Sequence, residues 1–509
     1  MKTLRRHRVL INSALACLMA AWQIGQPLKA DTINWTAGSG LNFDWADGTN
    51  WSSGVPGAGD DAIFGTPVPL ATPGITLAAG SLANSLSFLD SYSLTGGDLT
   101  LTSGGIHANL GQSVTINSLL SGNAGLTKTG GGSVRLANAS NDYTGVTTIA
   151  NGTIIISNPA ALGASLSPVD ITDGNTTPSN TSTIGFYGGS LVLDGSTAGF
   201  TFARDLNLSG QGPIGGRGAT VNSIGNNILS GTVTSSVSSL VPATFRNTRI
   251  NSINGTLGLS GTVNAQGTSA TTFLSFGGIN TAGVGNYNFT GVLSGTGSIE
   301  KSGAGILYLD PSSTSGFAGT VRISASATGQ QSSVRVTQAT VGGTSIFGTN
   351  TVSADDPSAI DLNGGVLEFR SEGNLDFNSL PSGKNVYHRA SSTVFTGPGV
   401  GGDNINGLTS LGTFRIAANT TATFNSRNGY GVTFGGAWTQ ESSNNNNTVT
   451  NNMGGTLTFT GNAWNNSDAS ARTLTISSAG NTVITGSINT SGAGIKTLTK
   501  TGGGNLTIL

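Results

Sequence analysis

The sequence predicts an all-β protein whose short strands stack coil on coil as a parallel β-helix, or β-solenoid. Runs of four to seven residues alternate between apolar and polar side chains and are bounded by Gly, Asn, Asp or Ser. The chain has 79 glycines but only 6% aromatic residues, whereas sandwiches and closed barrels need longer strands and aromatic-rich cores. A thin solenoid interior instead takes Val, Ile, Leu and Ala, with Gly and Asn at its corners. Coils of about 20–25 residues would make roughly twenty coils, and a rod on the order of 100 Å long.

Residues 1–30 have the layout of a secretory signal peptide. A basic stretch at positions 2–8 precedes an apolar run at 9–24, and Pro27 and Ala30 follow. We therefore expect cleavage after Ala30 and a secreted or cell-surface protein. The alternative is an uncleaved membrane anchor, for which the run is short and interrupted by Asn12 and Ser13. Since Cys17 lies in this leader, the mature chain has no cysteine and no disulfide.

Residues 31–65 are predicted to form an N-terminal cap, and residues 66–509 the β-helical region. The cap holds Trp35, Trp45 and Trp51, three of the five tryptophans beyond the leader, together with Phe43 and Phe64. The first coil of a solenoid would otherwise expose an apolar face and an unpaired strand edge. A carbohydrate-stacking site is the alternative interpretation of these rings. The chain stops at Leu509 in mid-alternation, so we expect the complete gene product to continue.

One phrase occurs three times, in repeat copies at 123–163, 295–323 and 494–509. Its copies are Lys128-Thr129-Gly130-Gly131-Gly132, Lys301-Ser302-Gly303-Ala304-Gly305 and Lys500-Thr501-Gly502-Gly503-Gly504, each followed by an alternating apolar run. We expect the first glycine of each copy to adopt positive φ at equivalent coil corners, beside an exposed lysine. Gly130→Val should then cost about 1–3 kcal/mol, while Lys128→Ala should cost little.

The first copy resembles the autotransporter-associated β-strand repeat, also called the passenger-associated transport repeat. That family's motif runs Lys-Thr-Gly-x-Gly, Leu-x-Leu, Asn-x-Tyr-x-Gly and Thr-x-Ile. Residues 128–149 of this chain resemble it, with Val134-Arg135-Leu136 at the Leu-x-Leu position. The second copy departs from it at Ser302 and at 316–319, and the third is cut before its tyrosine turn. The resemblance implies a right-handed β-helical passenger, with an outer-membrane translocator if the complete protein has one. The structural repeat residues it marks are Lys128, Gly130, Gly132, Tyr143, Gly145, Lys301, Gly303, Gly305, Lys500, Gly502 and Gly504.

The charge distribution gives no sign of nucleic-acid binding. The formal net charge is −1, and without the leader 17 basic residues face 23 acidic ones, a net of −6. No basic stripe is present to neutralise phosphates.

No catalytic, cofactor-binding or metal-binding residue is predicted. Beyond the leader, the chain has two histidines, His107 and His388, which are far apart in the sequence. The adjacent carboxylates Asp60-Asp61 and Asp355-Asp356, the latter near Asp361 and Glu368, suit acid–base work or calcium, but also plain turns. We therefore expect a secreted or surface passenger with a structural or adhesive role, whose partners would be surface glycans or host or matrix proteins. A β-helical polysaccharide lyase or glycosidase and a self-assembling extracellular matrix protein are the alternatives.

Overall fold

A computed structural model shows that the chain is built from parallel β-sheets. It describes residues 30–40, 42–65, 74–172, 188–210, 212–213, 220–236, 248–267, 273–277, 284–326, 329–349, 359–380, 384–441, 445–462, 471–488 and 496–509. The predicted leader therefore lies almost wholly outside the described residues. Within them, the helices are two short 3₁₀ turns, Gly48–Asn50 and Pro159–Leu162, and neither is long and apolar enough to cross a membrane.

Four parallel sheets contain all but two of the described strands. Sheet 1 comprises Thr32–Trp35, Asp61–Phe64, Ser81–Phe88, Leu99–Ala108, Leu120–Ser121, Leu126–Thr129, Thr147–Ile149, Val169–Ile171, Leu206–Leu208, Val233–Ser235, Thr262–Ala265, Val292–Gly295 and Ser313–Phe317. Sheet 2 comprises Gly74–Leu77, Ser93–Gly96, Ser113–Ile116, Ser133–Leu136, Gly152–Ile156, Gly189–Gly195, Val221–Gly225, Thr248–Ser252, Phe273–Phe276, Ser298–Lys301, Val321–Ser324, Ile360–Asn363, Val386–Ala390, Phe414–Ile416 and Trp438–Gln440.

The other two sheets belong to the later coils. Sheet 3 comprises Thr201–Phe202, Ile228–Leu229, Thr256–Leu259, Asn286–Phe289, Gly305–Leu309, Ser332–Val336, Val366–Arg370, Ser392–Gly397, Thr421–Ser426, Asn445–Asn452, Arg472–Ser478 and Lys496–Thr501. Sheet 4 comprises Leu375–Asp376, Leu408–Leu411, Gly431–Phe434, Leu457–Phe459, Thr482–Ile484 and Leu506–Ile508. The two remaining strands, Thr340–Val341 and Thr344–Ser345, form an antiparallel hairpin.

Successive coils visit the sheets in a fixed order. Ser298–Lys301 of sheet 2 leads to Gly305–Leu309 of sheet 3, then to Ser313–Phe317 of sheet 1, and the chain returns to sheet 2 at Val321–Ser324. From Leu375 onward, sheet 4 takes the place of sheet 1 in this order. Each strand pairs with the equivalent strands of the coils above and below, which confirms the predicted parallel β-helix.

Coil length varies because loops are inserted between strands. The partners Val134 and Ile154 are separated by 20 positions in the chain, within the expected coil length. Arg322 and Asp361 are also direct partners, yet they are 39 positions apart. The register is therefore kept by the sheets and not by a constant repeat length.

Alternating side chains form the interior as continuous columns. One column of sheet 2 runs through Val114, Val134, Ile154, Leu191, Val221, Ile250, Phe276, Lys301, Ile323, Leu362, His388, Ile416 and Gln440. Burying each aliphatic side chain contributes about 1.5–3 kcal/mol. Lys301, His388 and Gln440 interrupt this apolar column with polar groups, and all three are buried.

Aromatic rings close the first coils. Trp51 packs edge-on against Trp35 and Trp45, with ring centroids 5.0 and 4.9 Å apart, and its indole N–H donates to the Trp45 carbonyl at 2.8 Å. Phe64 then stacks on Phe88 of the next coil at 4.8 Å. The three tryptophans are at most 7% exposed. Their rings pack against one another and leave no open face on which a sugar could stack.

Candidate functional site

Two lysines of the repeated phrase occupy apolar positions of the solenoid interior. Lys128 lies in register between Ile106 and Ile149, and Lys301 lies between Phe276 and Ile323. Both side chains are fully buried. The expectation that these lysines are exposed is therefore wrong. Lysine can take such a position because its methylene stem packs with the aliphatic column while its ammonium reaches the corner.

Each buried ammonium binds the backbone carbonyls of the corner that follows it. Lys301 Nζ donates to the carbonyls of Ser302, Gly303 and Ala304 at 2.8, 2.8 and 3.0 Å. Lys128 Nζ donates to Thr129 and Gly130 at 2.5 and 2.7 Å, and to Asn151 of the next coil at 3.2 Å. We call this arrangement a lysine corner.

Burial and hydrogen bonding act in opposite directions on these ammonium groups. Burial lowers the pKa of Lys128 and of Lys301 to about 7. The three carbonyl oxygens favour the charged form, because only an ammonium has three N–H groups to donate. The carbonyl oxygens of the corner thus form a binding site for the ammonium group of the chain's own lysine.

The three lysine corners are not equivalent positions of the coil. Lys128 leads from sheet 1 to sheet 2, Lys301 from sheet 2 to sheet 3, and Lys500 from sheet 3 to sheet 4. Equivalence was expected from the sequence, and the sheet order corrects it. The repeated motif therefore forms a local turn that can connect any two successive sheets of a coil. Lys500 donates to Thr501 and Gly502 at 2.6 and 2.8 Å, as in the other copies, but it is only partly buried.

The glycines of the phrase allow adjacent coils to approach closely. Gly130, Gly303 and Gly502 have φ values of 71°, 67° and 78°, a region that other residues rarely adopt. A Cβ atom at Gly130 would also overlap the carbonyl oxygen of Ala108 in the preceding coil. Gly132, Gly305 and Gly504 meet comparable backbone overlaps, against Asn109, Gly285 and Gly480.

The Asn-x-Tyr-x-Gly segment joins three successive coils. Asn141 accepts from the Leu120 amide at 2.8 Å and donates to the Ala161 carbonyl at 2.7 Å, one coil to either side. Tyr143 is buried, and its hydroxyl bonds Thr147 Oγ1 at 3.0 Å. A side chain at Gly145 would overlap Gly125. The marked repeat residues of this copy thus make contacts within a corner or between adjacent coils.

An outer face of sheet 2 carries a different arrangement, which the sequence did not reveal. Asp361, only 3% exposed, accepts from Arg322 at 2.7 Å and from Arg389 at 3.1 Å. It pairs in the ladder with Tyr387, whose other partner is Arg415. We call Arg322, Asp361, Tyr387, Arg389 and Arg415 the sheet-2 cluster.

Aromatic rings hold the guanidinium groups of this cluster in place. Arg322 lies over Phe273 with its Cζ 4.2 Å from the ring centroid. Arg389 and Arg415 both lie over Tyr387, at 4.7 and 4.8 Å. Burial, followed by the nearby Glu441 carboxylate, raises the pKa of the Tyr387 phenol. The ring therefore stays neutral and available for cation–π contact.

Sheet 3 repeats the same chemistry around one carboxylate. Glu368 Oε2 accepts from Arg335 at 2.9 Å and from Arg370 at 3.3 Å. Arg335 lies over Tyr308 and Arg370 over Phe395, with Cζ-to-centroid distances of 5.2 and 4.1 Å. We call these five residues the sheet-3 cluster. One corner of the coil, at Gly364–Gly365, separates it from the sheet-2 cluster.

The candidate carboxylates do not converge on one site. Asp361 and Glu368 project from different sheets, and each is held by two arginines. Asp61 accepts from Asn84 and Ser85 at 2.7 and 2.6 Å, while Asp355 and Asp356 lie outside the described residues. Among the residues that are described, no group of three or more His, Cys, Asp or Glu side chains is placed to hold a metal ion.

Sequence comparisons agree with the fold. Residues 126–156 and 299–325 match the family model of the passenger-associated-transport-repeat. The adhesin BmaC autotransporter of Brucella suis biovar 1 (strain 1330) is 32% identical over 181 residues, which are 35% of this chain. That segment is 5% of the relative, so the chain spans only a small part of that protein's length. No solved structure matches.

These matches and the structure support one another. Both matched segments contain a lysine corner, built on Lys128 and on Lys301. The third copy, at 494–509, stays a prediction, although its corner has the same local hydrogen bonds. The matches also support the secreted or cell-surface location predicted from the leader. The chain is thus a β-solenoid with two segments that match the passenger-associated-transport-repeat, and it is similar in part to an autotransporter adhesin.

Proposed function

We propose that this chain is a segment of a surface passenger whose role is adhesive and not catalytic. The observation that carries the proposal is the placement of its chemistry. The repeat residues serve coil stacking, while the arginine, tyrosine and carboxylate groups lie along the outer faces of consecutive coils. A rigid rod with such faces suits binding through many small contacts. The similarity to a protein named as an adhesin supports the same role.

A polysaccharide lyase or glycosidase would need a different arrangement of carboxylates. Two carboxylates that act on one glycosidic bond lie within about 10 Å of each other across a shared cleft. Asp361 is almost fully enclosed by Arg322 and Arg389. Glu368 projects from a different sheet, sheet 3. Both groups are committed to ion pairs, which favours the adhesive role.

Adhesion can be tested with the exported protein attached to fluorescent beads. Beads are counted after washing on cultured host cells and on extracellular matrix, with beads that carry heat-unfolded protein as the control. The proposal expects retention well above the control, and retention no better than the control would overturn it. The same protein is incubated with soluble polysaccharides, and release of reducing or unsaturated ends would favour the enzyme instead.

A further inference from the structure

The sheet-2 cluster offers hydrogen-bond donors that the fold does not use. The Arg389 side chain is 40% exposed and reaches Asp361 only through Nε, at 3.2 and 3.1 Å from the two carboxylate oxygens. Its Nη1 and Nη2 groups have no hydrogen-bond partner among the described residues. Arg415, 30% exposed, contacts Glu441 through Nη2 at 2.6 Å. Several guanidinium N–H groups therefore face solvent on one surface.

These donors are held in a fixed position. Both guanidinium groups lie over the ring of Tyr387, which is itself 3% exposed and anchored in the ladder between Asp361 and Arg415. From their distances to the ring centroid, the two Cζ atoms are less than about 10 Å apart. A ligand would meet donors that are already oriented, which lowers the entropic cost of binding.

The charge of the cluster fits one anionic group at a time. Arg249, Arg322, Arg389 and Arg415 face the carboxylates of Glu300, Asp361 and Glu441, which leaves one positive charge in excess. The sheet-3 cluster likewise has two arginines and one carboxylate. Guanidinium groups bind planar carboxylates, and pairs of oxygens of tetrahedral sulfates, through paired N–H donors. Two such positions beside one corner suit a polymer with regularly spaced single charges.

The surrounding surface favours a polymer rich in hydroxyl groups. Sheet 3 continues from Phe395 to Asn425 and Asn452, whose amides bond each other at 3.2 Å. Thr393, Thr421 and Thr423 occupy the neighbouring outward positions of these strands. Protein interfaces generally need an apolar, aromatic centre, whereas here the aromatic faces are already covered by arginines.

We propose that Arg389 and Arg415, placed over Tyr387, bind the carboxylate or sulfate groups of an acidic polysaccharide. The inference rests on the proposed adhesive function and names its ligand class. The sheet-3 cluster would bind a further unit of the same polymer, so that weak individual contacts add through avidity.

The test measures binding of the exported protein to immobilised polysaccharides at low salt. Polygalacturonate presents carboxylates, dextran sulfate presents sulfates, neutral dextran is the blank, and polyglutamate represents an acidic peptide. Arg389→Gln and Arg415→Gln should each weaken binding to at least one acidic polysaccharide by about fivefold or more. Arg135→Gln is the matched control. Arg135 is 36% exposed, forms an ion pair with Asp194 at 2.8 Å, and lies in the same sheet several coils away from the cluster.

The competing outcomes are separable. Binding to neutral dextran as strong as to both acidic polymers, stronger binding to polyglutamate, or variants that bind like the parent would each overturn the inference. Bead adhesion that persists in both variants would leave the adhesive function standing without this site. Should Arg389→Gln alter the thermal unfolding of the chain, Arg389→Lys replaces it, since lysine keeps the ion pair with Asp361 and loses the planar donors.

Discussion

Lys301 fills an apolar position of the interior and also stabilises the corner that follows it, two roles that would ordinarily be expected of different residues. Its stem occupies an aliphatic position between Phe276 and Ile323, and its ammonium binds three consecutive carbonyls at the corner. The alternation itself contains the signal for burial. Lys128 follows Leu126 by two positions, so both point to the same face of their strand, and Leu126 is apolar.

Replacing Lys301 with methionine should separate the stem from the charge. Lys301→Met keeps an unbranched apolar chain but leaves three buried carbonyls without their donor, at a cost of about 2–4 kcal/mol. Lys500→Met is the matched control, because water reaches that corner, and it should cost less than about 1 kcal/mol. Urea unfolding measures both values. Equal stability of the two variants would show that the lysine corner does not hold the coil together.

His388 should make the chain sensitive to acid. Burial lowers the pKa of this imidazole to about 3, and the ring packs between Phe414 and Phe424 while Nδ1 bonds Ser392 Oγ at 2.8 Å. Between about pH 6.5 and pH 3 the unfolded chain binds a proton that the folded chain does not. The free energy of unfolding should therefore fall as pH falls through this window, by up to about 1.4 kcal/mol per pH unit from this group.

The contribution of His388 is isolated by a variant that cannot titrate. His388→Leu should show a flatter decline of unfolding free energy between pH 6.5 and pH 4 than the parent chain. Other groups titrate equally in both proteins, so the difference in slope belongs to His388. The same slope in both would contradict a neutral, buried histidine.

At the scale of the strand, short alternating runs were sufficient to predict structure. Alternating runs such as those at 113–116, 153–156 and 366–369 all fall within strands. The sequence could not predict which strands pair with one another, because loops of varying length separate the coils. Arg322 and Asp361 lie opposite each other across 39 positions, so no fixed repeat length could have placed them together. The arginine clusters were missed for this reason, although arginine between two apolar residues, as at 321–323, marks an outward position.

A solenoid should tolerate loss of one complete coil. Ser133 pairs with both Ser113 and Thr153, and Thr147 pairs with both Leu126 and Val169. Deleting residues 133–152 would therefore place Thr153 over Ser113 and Val169 over Leu126, with every interior column kept. We expect this protein to be exported and to unfold cooperatively at a temperature near that of the parent.

A deletion of similar size that breaks the register is the control for this prediction. Deleting residues 133–148 puts Ile149 where Ser133 was and removes part of the Thr147–Ile149 strand. This variant should be poorly exported or degraded, since its interior columns no longer align. If both deletions behaved alike, the coil would not be the unit that stabilises the chain.

For the whole molecule, continuous coil-on-coil pairing fixes the dimensions. Sheet 2 alone stacks fifteen strands between Gly74 and Gln440, and strands in a sheet are about 4.8 Å apart. Additional coils lie before and after it in sheets 1 and 4. The particle should therefore be elongated, which suits the proposed adhesive role.

Small-angle X-ray scattering of the exported protein tests this architecture most directly. The stacked coils predict an asymmetric distance distribution that extends to on the order of 100 Å, the length expected at the strand spacing of a parallel sheet. A symmetric distribution with a radius of gyration near 23 Å, the value for a compact chain of about 480 residues, would contradict a continuous solenoid.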